Sequence, residues 1–144
     1  MKLFTFIPFL ACIVACAPQD VPDASRSAQF ETYPQRLFDV FETSCSGPGE
    51  SFERTSGQTF ECREFLPAEA SAYLILNYDG NPQDLPQSVM RLTSSKNADG
   101  YRIDANVFFK VPQRTGSVVE VPLDSTELDQ SISRLFQAMG GSPS

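Results

Sequence analysis

Histidine and tryptophan are both absent from the 144 residues, and lysine occurs only as Lys2, Lys96 and Lys110. Without histidine there is no Ser-His-Asp triad, no Cys-His dyad and no His-ligated zinc. The scarcity of lysine restricts a Ser-Lys dyad to Lys96 or Lys110, and Lys96 follows Ser94-Ser95 in a polar stretch read as a turn, where an amine stays solvated and keeps its proton. Glycine forms no phosphate-binding loop ahead of a helix. In Ser46-Gly47-Pro48-Gly49 the proline removes an N–H that such a loop needs. Positive charge is also short, with 11 Lys+Arg against 18 Asp+Glu and a net charge of −7. Such a surface repels nucleic acid and anionic headgroups. No cofactor, metal site or nucleic-acid partner is expected from this composition.

What the chain does have is a distinctive beginning. Lys2 supplies a short positive region, Leu3 to Val14 are almost uninterruptedly apolar, and the small residue Ala15 precedes Cys16. About a dozen apolar residues are too few to span a hydrocarbon core that needs about 20, so the run reads as a signal-peptide segment. The tetrapeptide Ile13-Val14-Ala15-Cys16 resembles the lipobox of bacterial lipoprotein precursors; Phe9-Leu10-Ala11-Cys12 is a poorer match because an aromatic stands where a small aliphatic is usual. The resemblance implies cleavage after Ala15, a diacylglycerol thioether on Cys16 and acylation of the new amino terminus. It covers only residues 1–16 and carries nothing about the rest. Several acyl chains on one residue give stable anchoring where one chain is marginal. In the sorting rule for such lipoproteins, aspartate directly after the cysteine retains the protein at the inner membrane. Ala17 stands there, so the resemblance favours the outer membrane, with the domain in the periplasm.

Residues 1–15 are therefore read as signal peptide, 16–29 as lipidated cysteine and flexible tether, 30–140 as a single domain and 141–144 as a disordered tail. Ala17 to Ser27 lacks apolar periodicity and holds two prolines. Eleven residues reach at most ~35–40 Å, enough to hold a domain clear of headgroups. Loss of Lys2 with the signal leaves ten Lys+Arg against 18 Asp+Glu, a net of −8, so attachment would rest on the acyl chains. Cys12 leaves too, and Cys45 and Cys62 remain as a pair in an oxidising compartment, where a disulfide is the default. Neither a CxxC spacing nor a histidine supports a redox or metal role for them.

Within the domain, Phe30, Leu37, Phe38 and Phe41 follow helical spacing, which predicts a helix over 34–44 with Pro34 at its start. Residues 51–54 and 58–65 flank Thr55-Ser56-Gly57 and predict a hairpin. Phe60 and Cys62 share a face there, so a disulfide would staple the helix end to this strand. Residues 72–78 fit either period and are taken as a strand, after a helical turn at Pro67-Ala68-Glu69-Ala70. The clearest strand is 101–111, where Tyr101, Ile103, Ala105, Val107, Phe109 and Val111 share one face; its partner is 88–94, joined through Asp99-Gly100. A shorter strand covers 117–121. Asp124 and Glu127 have capping-box spacing ahead of the stripe Leu128, Ile132, Leu135, Phe136 and Met139, with Gly140 as terminator. The expected fold is α+β: an antiparallel sheet of about five to six strands with an N-terminal and a C-terminal helix on one face.

No catalytic residue emerges. Glu61 and Glu64 lie an odd step apart on a strand and so on opposite faces. Asp79, Asn81 and Asp84 lack the glycine and terminal glutamate of a calcium loop and read as a turn. Phe108 falls opposite the apolar set, between Asn106 and Lys110, and with Phe65 or Leu92 forms a candidate partner patch. The leading expectation is a lipid-anchored, non-enzymatic envelope protein whose partners are the membrane, through its acyl chains, and an envelope protein or ligand. The alternatives are a carboxylate- and tyrosine-based enzyme or small-molecule binder in a sheet–helix cleft, and an enzyme inhibitor with a protruding rigid loop.

Overall fold

The alternating apolar residues from Tyr101 onward form β5 (Gly100–Pro112), the long strand on which the rest is assembled. The computed structural model describes residues 26–144; the stretch read as signal peptide, Cys16 and the stretch read as tether up to residue 25 lie outside the described residues. Along the chain the elements are β1 (Ser27–Phe30), α1 (Gln35–Ser44), β2 (Glu50–Ser56), β3 (Thr59–Phe65), α2 (Ala68–Asn77), β4 (Gln87–Asn97), β5, β6 (Val118–Pro122), α3 (Thr126–Ala138) and β7 (Ser142–Pro143). The architecture is α+β, built on an antiparallel sheet of seven strands in the order β2-β3-β4-β5-β1-β7, with β6 also on β5. One edge of β5 is taken by β4, and the other is divided between β1, opposite residues 101–104, and β6, opposite residues 108–112.

The sheet has seven strands where five to six are expected, and two of them come from segments read as irregular. Ser27–Phe30, placed largely in the tether, alternates half-buried and buried residues and pairs with β5; Ser142–Pro143, placed in the disordered tail, pairs with β1. Ala28 and Phe30 are buried, and that area repays the ordering of a short strand. The second difference is α2. Residues expected as a strand are helical, and a third helix crosses from β3 to β4. Its run of apolar residues on all sides gave periodicity no purchase: only Ser71 and Leu74 are buried, whereas Tyr73 and Leu76 point outward.

The main core joins Leu37, Phe38 and Phe41 of α1 and Ile132 and Phe136 of α3 to Phe60, Leu92, Ile103, Ala105 and Val107 of the sheet, with Ala28 and Phe30. Phe30 meets Phe136 edge-on at 6.3 Å between centroids, and Phe38 lies 4.4 Å from Phe60. Each such ring contributes roughly 1.5–3 kcal/mol by leaving water. At the start of α3 the cap is Ser125, one residue past the expected Asp124, and its hydroxyl accepts the Leu128 N–H at 3.4 Å. At its end Gly140 adopts φ 88°, while the Gly140 and Gly141 N–H groups donate to Gln137 and Phe136 carbonyls at 3.0 and 2.8 Å. This is the left-handed stop expected of glycine there. Lys96, read as part of a turn, instead lies on β4 opposite Tyr101, with its ammonium 6.0 Å from that ring.

Candidate functional site

Helical spacing turns Leu37 and Phe41 of α1 toward the sheet and leaves Val40 and Ser44 on its flank. Cys45, at the end of α1, is bonded to Cys62 of β3 across 5.7 Å between Cα atoms. Alternation on β3 then places Glu64 on the same face as Cys62, while Glu61 and Arg63 take the other. The result is a groove of about 380 Å³ between α1, the sheet and α3. Its apolar lining includes Val40, Phe41, Met90 and Leu135, with the disulfide at Cys62, and its polar lining is Ser44, Ser88, Glu50 and Glu64. A second depression of about 350 Å³ lies along α1 at Arg36, Asp39 and Thr43 and shares Val40 and Ser44 with the first.

Glu50 and Glu64 are directly opposite each other across β2 and β3. Glu50 accepts the Gly47 N–H at 2.6 Å, but among the described residues neither carboxylate has a cation partner. Like charges in facing positions oppose sheet formation. This pair is therefore an electrostatic cost at the edge of an apolar groove, and it suits a cation arriving with an apolar group. Cys45, Glu50 and Cys62 also cluster within 4.8 Å, but with both sulfurs in the disulfide no thiolate is available to a metal.

On the opposite sheet face the carboxylates behave differently. Glu61 is 3% exposed and accepts from Arg63 Nε at 2.8 Å and Nη2 at 2.5 Å, and from Arg91 Nε at 2.6 Å. Arg63 also pairs with Glu53, and Arg91 with Glu120 at 2.7 Å, giving a five-residue chain of alternating charge across β2, β3, β4 and β6. Burial pushes the Glu61 carboxyl up, but hydrogen bonds from Arg91 and Arg63, together with their charges, outweigh it and hold it below the usual glutamate range. For Arg91 the hydrogen bond to Glu120 outweighs burial and raises its pKa further. A carboxylate that is ionised at neutral pH and fully engaged by two guanidiniums neither donates nor shuttles protons there. The chain of charges is structural.

The candidate patch of Phe65, Leu92 and Phe108 does not assemble. Leu92 is fully buried in the main core, paired with Ala105. Phe108 lies opposite Val89, three positions from Leu92 and so on the other face, and is 4% exposed. The Arg91 guanidinium covers its ring at 4.5 Å. Phe65 alone is exposed. Of the tyrosines, Tyr101 packs edge-on against Tyr33 at 5.3 Å, and Tyr78, just past α2, is exposed. Burial raises the Tyr33 hydroxyl against the smaller pull of Arg54, so it stays protonated and supplies no phenolate base. Asp79, Asn81 and Asp84 form a turn, with Asn81 Oδ1 accepting the Gln83 N–H at 3.1 Å and its amide donating to Asp84 at 2.9 Å.

The groove was missed in the sequence although one signal was present. If Cys62 faces Cys45, parity along the strand carries Glu64 to the same face, beside the helix end. Glu50, Ser88 and Leu135 needed the register of β2, β3 and β4 and the path of α3, which no local pattern supplies. No family model, curated protein or solved structure matches this chain. Among the described residues no helix is long and apolar enough to cross a membrane.

Proposed function

We propose that this chain is a lipid-anchored cell-envelope protein whose domain binds an envelope partner and performs no catalysis. The observation that carries the reading is Ile13-Val14-Ala15-Cys16 followed by a polar, proline-containing run. Cys16 is the acylated residue, and Ala17 after it favours the outer membrane, with the domain in the periplasm. The binding element is the groove over the disulfide. Its apolar floor and the uncompensated Glu50–Glu64 pair suit a protein segment that presents a bulky apolar side chain beside Lys or Arg. The adjoining depression past Val40 extends the path for an extended segment.

Metabolic labelling with palmitate tests the anchor. Wild type should incorporate label, and Cys16→Ser should abolish it and accumulate precursor; full labelling of the variant would refute Cys16 as the site. A photo-crosslinking residue at position 40 of the lipidated protein tests the groove. The cross-linked peptide should carry a basic residue next to a large apolar one. Cross-linking no different from that at position 98, in the β4–β5 turn, would refute the groove as the binding element.

A further inference from the structure

Among the described residues eight large apolar side chains are exposed: Val40, Phe65, Tyr73, Leu76, Tyr78, Leu85, Val118 and Val119. All but Val40 gather toward one end of the sheet. Phe65 lies opposite Gln87, which lies opposite Lys110; Val119 and Val118 lie opposite Val111 and Pro112. Leu85 is two residues ahead of Gln87. Tyr78 follows α2, and Gly80, just beyond it, bridges to Gln113, while the Asn81 N–H donates to the Pro112 carbonyl at 2.8 Å. Leu76, 81% exposed, occupies the last turn of α2, with Tyr73 one turn earlier on the same side. Surface apolar residues scattered singly need no explanation, but a concentration of this kind does.

The direction of the chain supplies one. β1 runs antiparallel to β5, with Ser27 opposite Asp104 and Phe30 opposite Tyr101, and the Ala105 N–H donates to the Arg26 carbonyl at 2.8 Å. The chain thus enters the domain from the side of the sheet that ends at Lys110–Gln113. From the level of Ala105 to Pro112 is roughly 24 Å along a strand. The ten residue-to-residue steps from Cys16 to Arg26 span at most ~36 Å. A domain held by Cys16 can therefore bring its apolar end to the lipid without reversing the direction in which the chain enters.

We infer that this end of the domain, centred on Leu76, Tyr73 and Leu85, is a seat on the lipid surface, so that the anchored protein lies against its bilayer in one orientation. The inference rests on the acylation of Cys16 proposed above. The contact is apolar, not electrostatic. Lys110 and Arg114 are outnumbered there by Glu64, Asp79, Asp84 and Glu120. Tyrosine and leucine enter the headgroup boundary without help from basic residues, and anionic lipid should weaken the seat.

The test uses the full lipidated protein in phosphatidylcholine vesicles with brominated acyl chains, which quench a nearby fluorophore. Cys16 is acylated and Cys45 is bonded to Cys62, so Leu76→Cys or Ala98→Cys introduces the one free thiol for labelling. Ala98 lies in the turn between β4 and β5, at the other end of the sheet. Quenching at Leu76→Cys should exceed that at Ala98→Cys by at least about threefold, since a seated helix face enters the headgroup–acyl boundary by about 5–10 Å. Adding phosphatidylglycerol should reduce the ratio. Tyr73→Asp, an exposed change, should bring a probe at Leu85→Cys down to the Ala98 level. Equal quenching in protein that still floats with vesicles would overturn the seat and leave the anchor standing. Protein that neither incorporates palmitate nor floats would remove both. A Leu76 probe shielded from brominated lipid in a cross-linkable dimer would assign this surface to a second copy and overturn the inference.

Discussion

Glu61→Gln is the most informative single change in the domain, because it leaves two arginines facing a neutral amide. In the wild type Glu61 accepts three charge-assisted hydrogen bonds from Arg63 and Arg91. Breaking a fully buried ion pair by removing one partner costs ~3–5 kcal/mol. Here the arginine side chains are 19% and 28% exposed and keep Glu53 and Glu120 as partners, which places the cost nearer ~2–3 kcal/mol at pH 7. At ~3–5 °C per kcal/mol for a domain of this length, the melting temperature should fall by about 10 °C.

The pH dependence follows from the lowered Glu61 pKa. A carboxyl whose folded value is depressed contributes stability above its unfolded value, about 4.3, and loses it as pH falls through the folded value. The gap between wild type and Glu61→Gln should therefore be widest at about pH 5–7 and close below about pH 4. Thermal unfolding followed by circular dichroism in buffers from about pH 3 to 7 reads both effects. A variant that melts within about 2 °C of wild type at pH 7, or a gap that widens in acid, would refute the account of Glu61 as the hub of this network.

Replacing both Cys45 and Cys62 with serine should lower stability by about 3 kcal/mol, as expected for a bond that closes a sequence separation of 17 in the chain-entropy treatment; free alkylation of the native wild-type protein without reductant would show that the staple is not there. Phe136→Ala should cost about 3–5 kcal/mol, because Phe136 is fully buried against Phe30, whereas exposed Gln137→Ala should change little; denaturant titrations giving equal midpoints would mean that α3 contributes no core.

Wherever one periodicity dominated, the fold could be read directly. The 34–44 helix appears as α1 with Pro34 at its cap, the 101–111 alternation as β5, and the stripe from Leu128 to Phe136 as α3. The short strands β1 and β7 escaped because four and two residues hold too few alternations, and their identity depends on a partner about 75 residues away in one case and on β1 itself in the other. The α2 segment escaped for the opposite reason. Ala70 to Tyr78 is apolar at almost every position, so both templates fit, and the exposed Tyr73 and Leu76 weaken the usual link between hydrophobicity and burial. Phe108 was misjudged because its polar neighbours on β5 suggested a solvated face. Its cover comes from Arg91 on β4 and its facing partner is Val89, both visible only through register.

The tetrapeptide Glu61-Cys62-Arg63-Glu64 carries the contrast between the two sheet faces. Glu61 turns to the side where two guanidiniums wait, and its charge is fully absorbed. Glu64 turns to the groove, where it faces Glu50 and, among the described residues, no cation. Stability alone would not select that arrangement: facing like charges are unfavourable by an amount comparable to the ~0.2–1 kcal/mol of a favourable cross-strand pair. Glu64→Gln should therefore raise stability by a few tenths of a kcal/mol, while Glu61→Gln three residues away lowers it by several times more. If the groove receives a basic segment, the same Glu64→Gln should weaken cross-linking from position 40, trading binding for stability. A Glu64→Gln domain that unfolds more easily than wild type would show that the Glu50–Glu64 pair is stabilising as it stands, and would remove the electrostatic reason for expecting a cationic partner.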